Sequence, residues 1–240
     1  MKTVSIYETG CVRKNNEDNF LILPEDNLFA VADGMGGHNA GEVASRLAIE
    51  YLRLKAAELK TLPVDSLQDW MEKAIALANK EIYEVSLQEA GTEGMGTTIT
   101  ALVLKENKAV IGHVGDSRIY LWRDYTLSLL SEDHSMVNEL VRLGQLSEEK
   151  AKHHPHKNIL SRALGIEKTI KVDCFQLETQ PGDIFLLCTD GFSNVIDEEE
   201  MVREFSASGT WDEHLERLKN IVLKRGAPDN FTVICCILER

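Results

Sequence analysis

The chain has 240 residues, with 39 acidic against 26 basic side chains, a net charge of −13. Hydrophobic residues make up 43% and charged residues 27%, which suits a folded core without disulfide or metal staples and not a disordered chain. The acidic balance argues against a general nucleic-acid binder, whose phosphate contacts need clustered Lys and Arg, and against adhesion to anionic membranes.

Strand-like runs open the sequence at 4–8, 20–23 and 28–32. Over 41–59 the residues Val43, Ala44, Leu47, Ala48, Tyr51 and Leu52 form one apolar stripe. Over 67–89 Leu67, Trp70, Met71, Ala74, Leu77, Ala78 and Val85 form another, so both stretches read as amphipathic helices. Strands return at 97–104, 108–113, 118–122 and 127–130, with turns at Glu106-Asn107 and Arg123-Asp124. A mostly helical stretch over 135–159 interrupts them. Strands resume at 168–175 and 183–188, and 198–204 and 212–224 read as helices with solvated, mixed-charge faces. The run 231–238 is apolar on both faces, which marks a central strand. Runs of strands separated by helical pairs predict an α+β fold with mostly antiparallel sheets and helices stacked outside. No linker or repeat divides the chain, so one domain over 1–240 is expected. The start, MKTVSIYETG, has no apolar leader, and no stretch approaches the roughly 20 apolar residues of a membrane span. Five scattered cysteines (Cys11, Cys174, Cys188, Cys235 and Cys236) fit a reduced, cytoplasmic setting. The last two should point to opposite faces of a strand, and Cys188 reads as a core thiol with nothing near it to lower its pKa.

The informative feature is where aspartates fall. Phe29-Ala30-Val31-Ala32 runs into Asp33-Gly34, Phe185-Leu186-Leu187-Cys188-Thr189 into Asp190-Gly191, and Val110-Ile111-Gly112-His113-Val114 into Gly115-Asp116. Asp229-Asn230 precedes the last strand, and Glu17-Asp18 the second. Singly, an Asp-Gly after a strand is a turn, and Glu17-Asp18 a solvated pair. If the strand ends converge, however, the carboxylates repel one another and need cations or protons. Oxygen-only ligands then imply Mg²⁺ or Mn²⁺ rather than zinc. The cluster His153-His154-Pro155-His156 has no Cys or acidic ligand beside it, which argues against a zinc site.

The ordered set Arg13-x-x-Asn16-Glu17-Asp18, Asp33-Gly34-Met35-Gly36-Gly37-His38, Gly94-Met95-Gly96-Thr97-Thr98, Gly115-Asp116-Ser117-Arg118, Asp133-His134-Ser135, Thr189-Asp190-Gly191 and Asp229-Asn230 resembles the metal-dependent protein phosphatase family. These are the protein phosphatase 2C-like Ser/Thr phosphatases, here of bacterial type. The resemblance implies a four-layer α-β-β-α sandwich and a centre of two Mn²⁺ or Mg²⁺ ions. In it Asp33 bridges the ions, Gly34 adds its carbonyl, and Asp190 and Asp229 bind the first ion. Glu17 and Asp18 hold waters of the ions, Arg13 grips the substrate phosphate, and Asp116 with Asp190 can hold a third ion. An activated water then attacks phosphorus directly, without a phosphoenzyme. Many relatives carry a histidine where Met35 stands, so the proton for the leaving group falls to His38 or to a water held through Asp116. Gly226-Ala227-Pro228 before Asp229 is a looser match than the rest.

The resemblance further implies phosphoprotein substrates, an opposing Ser/Thr kinase, a monomer, and a flap over 135–159 beside the pocket. A binding module without activity is disfavoured because every acidic position is present. A metal-dependent nuclease is disfavoured by the charge.

Overall fold

Alternate residues of the same strands enter different cores, and that alternation generates the layers. The computed structural model describes residues 1–37, 40–152 and 154–239. Eleven strands, seven α-helices and two short 3-10 helices are found among them. The five-stranded sheet has the order β1 (Lys2–Glu8), β11 (Phe231–Ile237), β10 (Ile184–Cys188), β7 (Arg118–Arg123) and β8 (Thr126–Leu129). The second sheet has the order β2 (Asp18–Leu23), β3 (Leu28–Met35), β5 (Ile99–Lys105), β6 (Lys108–Val114) and β9 (Asp173–Glu178), with the short β4 (Gly96–Thr97) paired to β3. The pairings in both sheets are antiparallel.

Phe29 and Val31 of β3, Leu102 of β5, Ile111 of β6, Phe185 and Leu187 of β10 and Ile234 of β11 fill the space between the sheets. Their neighbours turn outward. Leu28, Ala30, Ala101 and Val110 meet α1 (Ala40–Lys55) and α2 (Leu67–Gln88). On the other side Leu186, Val233 and Cys235 meet α6 (Glu198–Ser206) and α7 (Trp211–Lys224), which bury Met201, Phe205, Leu215, Leu218 and Val222. This is the expected four-layer α-β-β-α order. Both outer helices begin with a reciprocal capping box, Asp197 with Glu200 and Thr210 with Glu213. Cys235 and Cys236 do face opposite cores, and all five cysteines are free thiols. No helix among the described residues is long and apolar enough to cross a membrane.

Three local expectations need correction. Over 135–159 helix is confined to α3 (Met136–Arg142) and α4 (Glu148–Lys152). The amides of Gly144, Gln145 and Leu146 turn back onto the carbonyls of Val141 and Leu140 and end α3 there. The strand expected over 168–175 starts only at Asp173, because Asn79 of α2 holds the preceding loop out of the sheet. Its amide donates to the Glu167 carbonyl at 3.0 Å and accepts from the Gly165 amide at 2.8 Å. The turn between β7 and β8 falls on Asp124-Tyr125, both at positive φ. A short α5 (Asp190–Ser193) follows β10 directly.

Phe185 is fully buried between the sheets. Truncation by Phe185→Ala should cost about 3–5 kcal/mol, read as a lowered urea midpoint at unchanged slope. A loss below about 1 kcal/mol would contradict tight packing between the sheets.

Candidate functional site

The strand ends that carry the aspartates lie at one edge of the sandwich. Pairing of β2 with β3 sets Asp18 opposite Asp33, a like-charge neighbourhood that a sheet does not tolerate unaided. In the other sheet Cys188 pairs with both Val233 and Arg118, so Asp190, Asp229 and Asp116 come from adjacent strand ends. Asp18 is fully buried. Its Oδ2 accepts from Thr189 Oγ1 at 2.8 Å, just past the end of β10, and from Thr232 Oγ1 of β11 at 2.7 Å, while Oδ1 is buried without a partner. Asp33, Asp116, Asp190 and Asp229 are each part-buried and part-open.

The Asp33 amide donates to Thr98 Oγ1 at 2.9 Å, and Thr98 Oγ1 bonds Ser117 Oγ at 2.7 Å. One threonine therefore anchors the neighbourhoods of both Asp33 and Asp116. Gly34 lies against the first turn of α1, and a Cβ there would run into the Gly41 carbonyl, so the close approach admits only glycine. Ser45 of α1 donates to the Glu17 carbonyl at 2.5 Å. Asn230 accepts from the Glu17 amide at 2.8 Å and donates to the Thr9 and Asn15 carbonyls, which fixes the loop that carries Arg13. Arg13 is half-exposed, and its Nη2 donates to Asp229 Oδ2 at 2.8 Å.

The carboxylates raise one another's pKa. Burial, then the charges of Asp18, Asp190 and Asp116, hold Asp33 well above the ordinary carboxylate range. Burial raises Asp18 to about 7, opposed by the two threonine hydrogen bonds and assisted by Asp190 and Asp229. Asp116 rises to about 8 by burial and the charges of Asp190 and Asp133. Asp190 rises chiefly by burial, against a hydrogen bond with Asp33, and Glu17 rises by burial, against Arg13. Such a cluster takes up either protons or cations.

The residues present fit hard divalent ions. The donors are all oxygen, the buried Asp18 Oδ1 is orphaned, and Gly34 packs where a side chain has no room. Among the described residues no three His, Cys, Asp or Glu side chains surround one ion position as they stand. Asp229 is turned to Arg13. Mg²⁺ needs only one or two carboxylates, because it keeps several waters.

The expected site residues Arg13, Glu17, Asp18, Asp33, Gly34, Asp116, Asp190 and Asp229 thus gather at this edge. His38 and His153 lie outside the described residues. His154 and His156 pack ring against ring, centroids 5.6 Å apart. Burial raises the Cys188 thiol to about 12, which keeps it protonated. Thr98 belongs to the motif 94–98 quoted above, whereas Thr232 and Ser45 support the site without having stood out in the sequence. Their only local signal is a hydroxyl in an otherwise apolar strand or helix face.

A family model described as protein phosphatase 2C matches residues 12–228. The chain belongs to the protein phosphatase 2C family. The serine/threonine phosphatase stp of Listeria monocytogenes serotype 4b is 41% identical over 237 residues, covering 97% of this chain and 93% of that protein. Among solved structures, the Mycobacterium tuberculosis serine/threonine phosphatase PstP/Ppp superposes with a TM-score of 0.90 at 36% identity, over 100% of this chain and 99% of that one. A PstP catalytic domain in complex with two manganese ions has a TM-score of 0.88 at 34% identity, over 100% and 98% of the two chains. These similarities place the chain in a family of metal-dependent phosphatases.

The raised carboxyls carry a pH signature. A native pKa above the unfolded value stabilises the fold at low pH, and that stability is lost as pH rises through the native pKa. For Asp18 and Asp116 the loss runs from the ordinary carboxylate range up to about 7 and about 8. Metal-free protein should therefore melt at a lower temperature at pH 8 than at pH 6, and Mg²⁺ should raise the melting temperature more at pH 8. A metal-free melting temperature that does not fall over this window would contradict the clustering.

Proposed function

We propose that the chain hydrolyses phosphoserine and phosphothreonine in phosphoproteins, as one catalytic unit over 1–240 with a flap at 135–159. The observation that supports this reading is the meeting of carboxylates from both sheets at one half-open edge, with the Arg13 guanidinium beside them. Mn²⁺ or Mg²⁺, two ions and a third at Asp116, supply when bound a lowered water pKa and charge neutralisation at the phosphoryl oxygens.

The residues divide the remaining work. Asp33 would serve both principal ions together with the Gly34 carbonyl, and Asp190 and Asp229 would serve the first. Glu17 and Asp18 orient water, and the clamp of Thr189 and Thr232 on Asp18 Oδ2 leaves Oδ1 for that purpose. Arg13 turns its donors from Asp229 to the phosphoryl oxygens, which its planar fork matches. Met35 has no proton to give, so the proton for the leaving serine or threonine oxygen comes by way of Asp116. A serine alkoxide needs that proton, whereas nitrophenolate leaves without it. Free thiols at all five cysteines support a reducing, cytoplasmic setting. There the protein, as a monomer, opposes a Ser/Thr kinase.

Excess EDTA should abolish phosphate release from a phosphothreonine peptide, and Mn²⁺ or Mg²⁺ should restore it. Full turnover in chelator would overturn the reading. Asp116→Ala should cost about 10²-fold or more on the peptide but no more than about threefold on nitrophenyl phosphate. Equal losses on both substrates would take Asp116 out of the proton path.

A further inference from the structure

Asp116 sits on the turn between β6 and β7, and the turn is tethered on each side. Ser117 is held by Thr98. Gly115 is held by His134, a residue that the proposed chemistry leaves without a task. The Gly115 amide donates to His134 Nδ1 at 3.0 Å, and the His134 amide donates to the Gly115 carbonyl at 2.8 Å. An amide N–H can only donate, so Nδ1 carries the lone pair and the ring proton sits on Nε2. From there it is donated to Asp173 Oδ2 at 3.0 Å, while Arg162 Nη1, which also lies 3.0 Å from Nε2, donates to Asp173 Oδ1 at 2.7 Å. The imidazole is buried and packs on His113, centroids 4.8 Å apart. His113 is itself fixed by Thr100 Oγ1 at 2.9 Å and the Glu132 carbonyl at 3.1 Å. Gly115 adopts φ +111°, and a Cβ there would come within 2.5 Å of Thr98 Cγ2. The turn has no side chain of its own at that point, so its position depends on the groups that hold its backbone.

We propose that His134 is a positioning residue for Asp116: its imidazole, oriented by Asp173, holds the Gly115 amide and thereby fixes where the Asp116 carboxylate stands. The carboxylate–histidine pair sets the tautomer, and the tautomer supplies the acceptor. The proposal rests on the role given to Asp116 above.

The test is a double-mutant cycle with an independent readout of the tether. His134→Phe keeps a ring against His113 but loses the acceptor, whereas His134→Asn keeps an acceptor at the same remove from the main chain. His134→Phe should lower kcat on a phosphothreonine peptide about tenfold or more with KM within about twofold. It should also speed hydrogen exchange of the Gly115 amide in metal-free protein about tenfold or more, and His134→Asn should recover most of both effects. On an Asp116→Ala background His134→Phe should cost nothing further. Losses that multiply, an unchanged kcat, or unchanged exchange at Gly115 would each overturn the proposal. Should His134→Phe not fold, Asp173→Ala enters the same cycle. A loss of about threefold alone and none on the Asp116→Ala background supports the proposal, and any other pattern overturns it. If Asp116→Ala itself leaves peptide turnover intact, the role of Asp116 fails. Exchange at Gly115 then still reports whether His134 holds the turn.

Discussion

The two sheets are joined at their functional edge by one buried carboxylate. Asp18 belongs to the six-stranded sheet, yet the hydroxyls that satisfy its Oδ2 come from Thr232 of the other sheet and from Thr189, which directly follows that sheet's strand β10. A buried carboxylate tolerates displacement poorly, since losing either hydroxyl leaves a desolvated acceptor less well satisfied. The relative placement of Asp33 on one sheet and of Asp190 and Asp229 on the other is therefore set by this bond pair. Apolar packing between the sheets, through Phe29, Phe185, Leu187 and Ile234, supplies the stability but has no comparable directionality. The core holds the layers together, and Asp18 sets their alignment at the edge.

That alignment creates an electrostatic problem that the fold does not solve with its own side chains. Arg13 pairs with Asp229, but among the described residues no cation is bonded to Asp18, and burial lifts Asp33, Asp116 and Asp190 as well. A chain of net charge −13 that concentrates acid at the open edge of a rigid sandwich is suited to divalent ions and, through them, to phosphoryl groups. Rigid strand ends, α1 against Gly34 and the tethered turn at Asp116 hold the ligating groups in place.

Much of this was legible in the sequence. Apolar alternation gave the strands of both sheets, and Asp-Gly steps at their ends gave the acidic groups. The ordered motifs gave the family and the fold. Asp18 and Glu17 looked like one solvated pair, yet the register buries the first between the sheets and leaves the second part-open. Thr189 stood in the quoted motif Thr189-Asp190-Gly191, but it and Thr232 act on a carboxylate 171 and 214 residues away, so no local pattern could tell what they hold. The late start of β9 and the broken helix over 135–159 have the same origin. A side chain from α2 shapes the loop before β9, and backbone caps end α3 where polarity alone suggested continuation.

The central claim is that carboxylates from both sheets form one metal centre organised about Asp33. A crystal structure of the protein grown with Mn²⁺, with anomalous differences recorded at the manganese edge, tests it most directly. The account predicts two strong peaks that share Asp33, one reached by Asp190 and Asp229 and the other by the Gly34 carbonyl. A single peak remote from Asp33, or peaks held by His154 and His156 with the aspartates unligated, would contradict it.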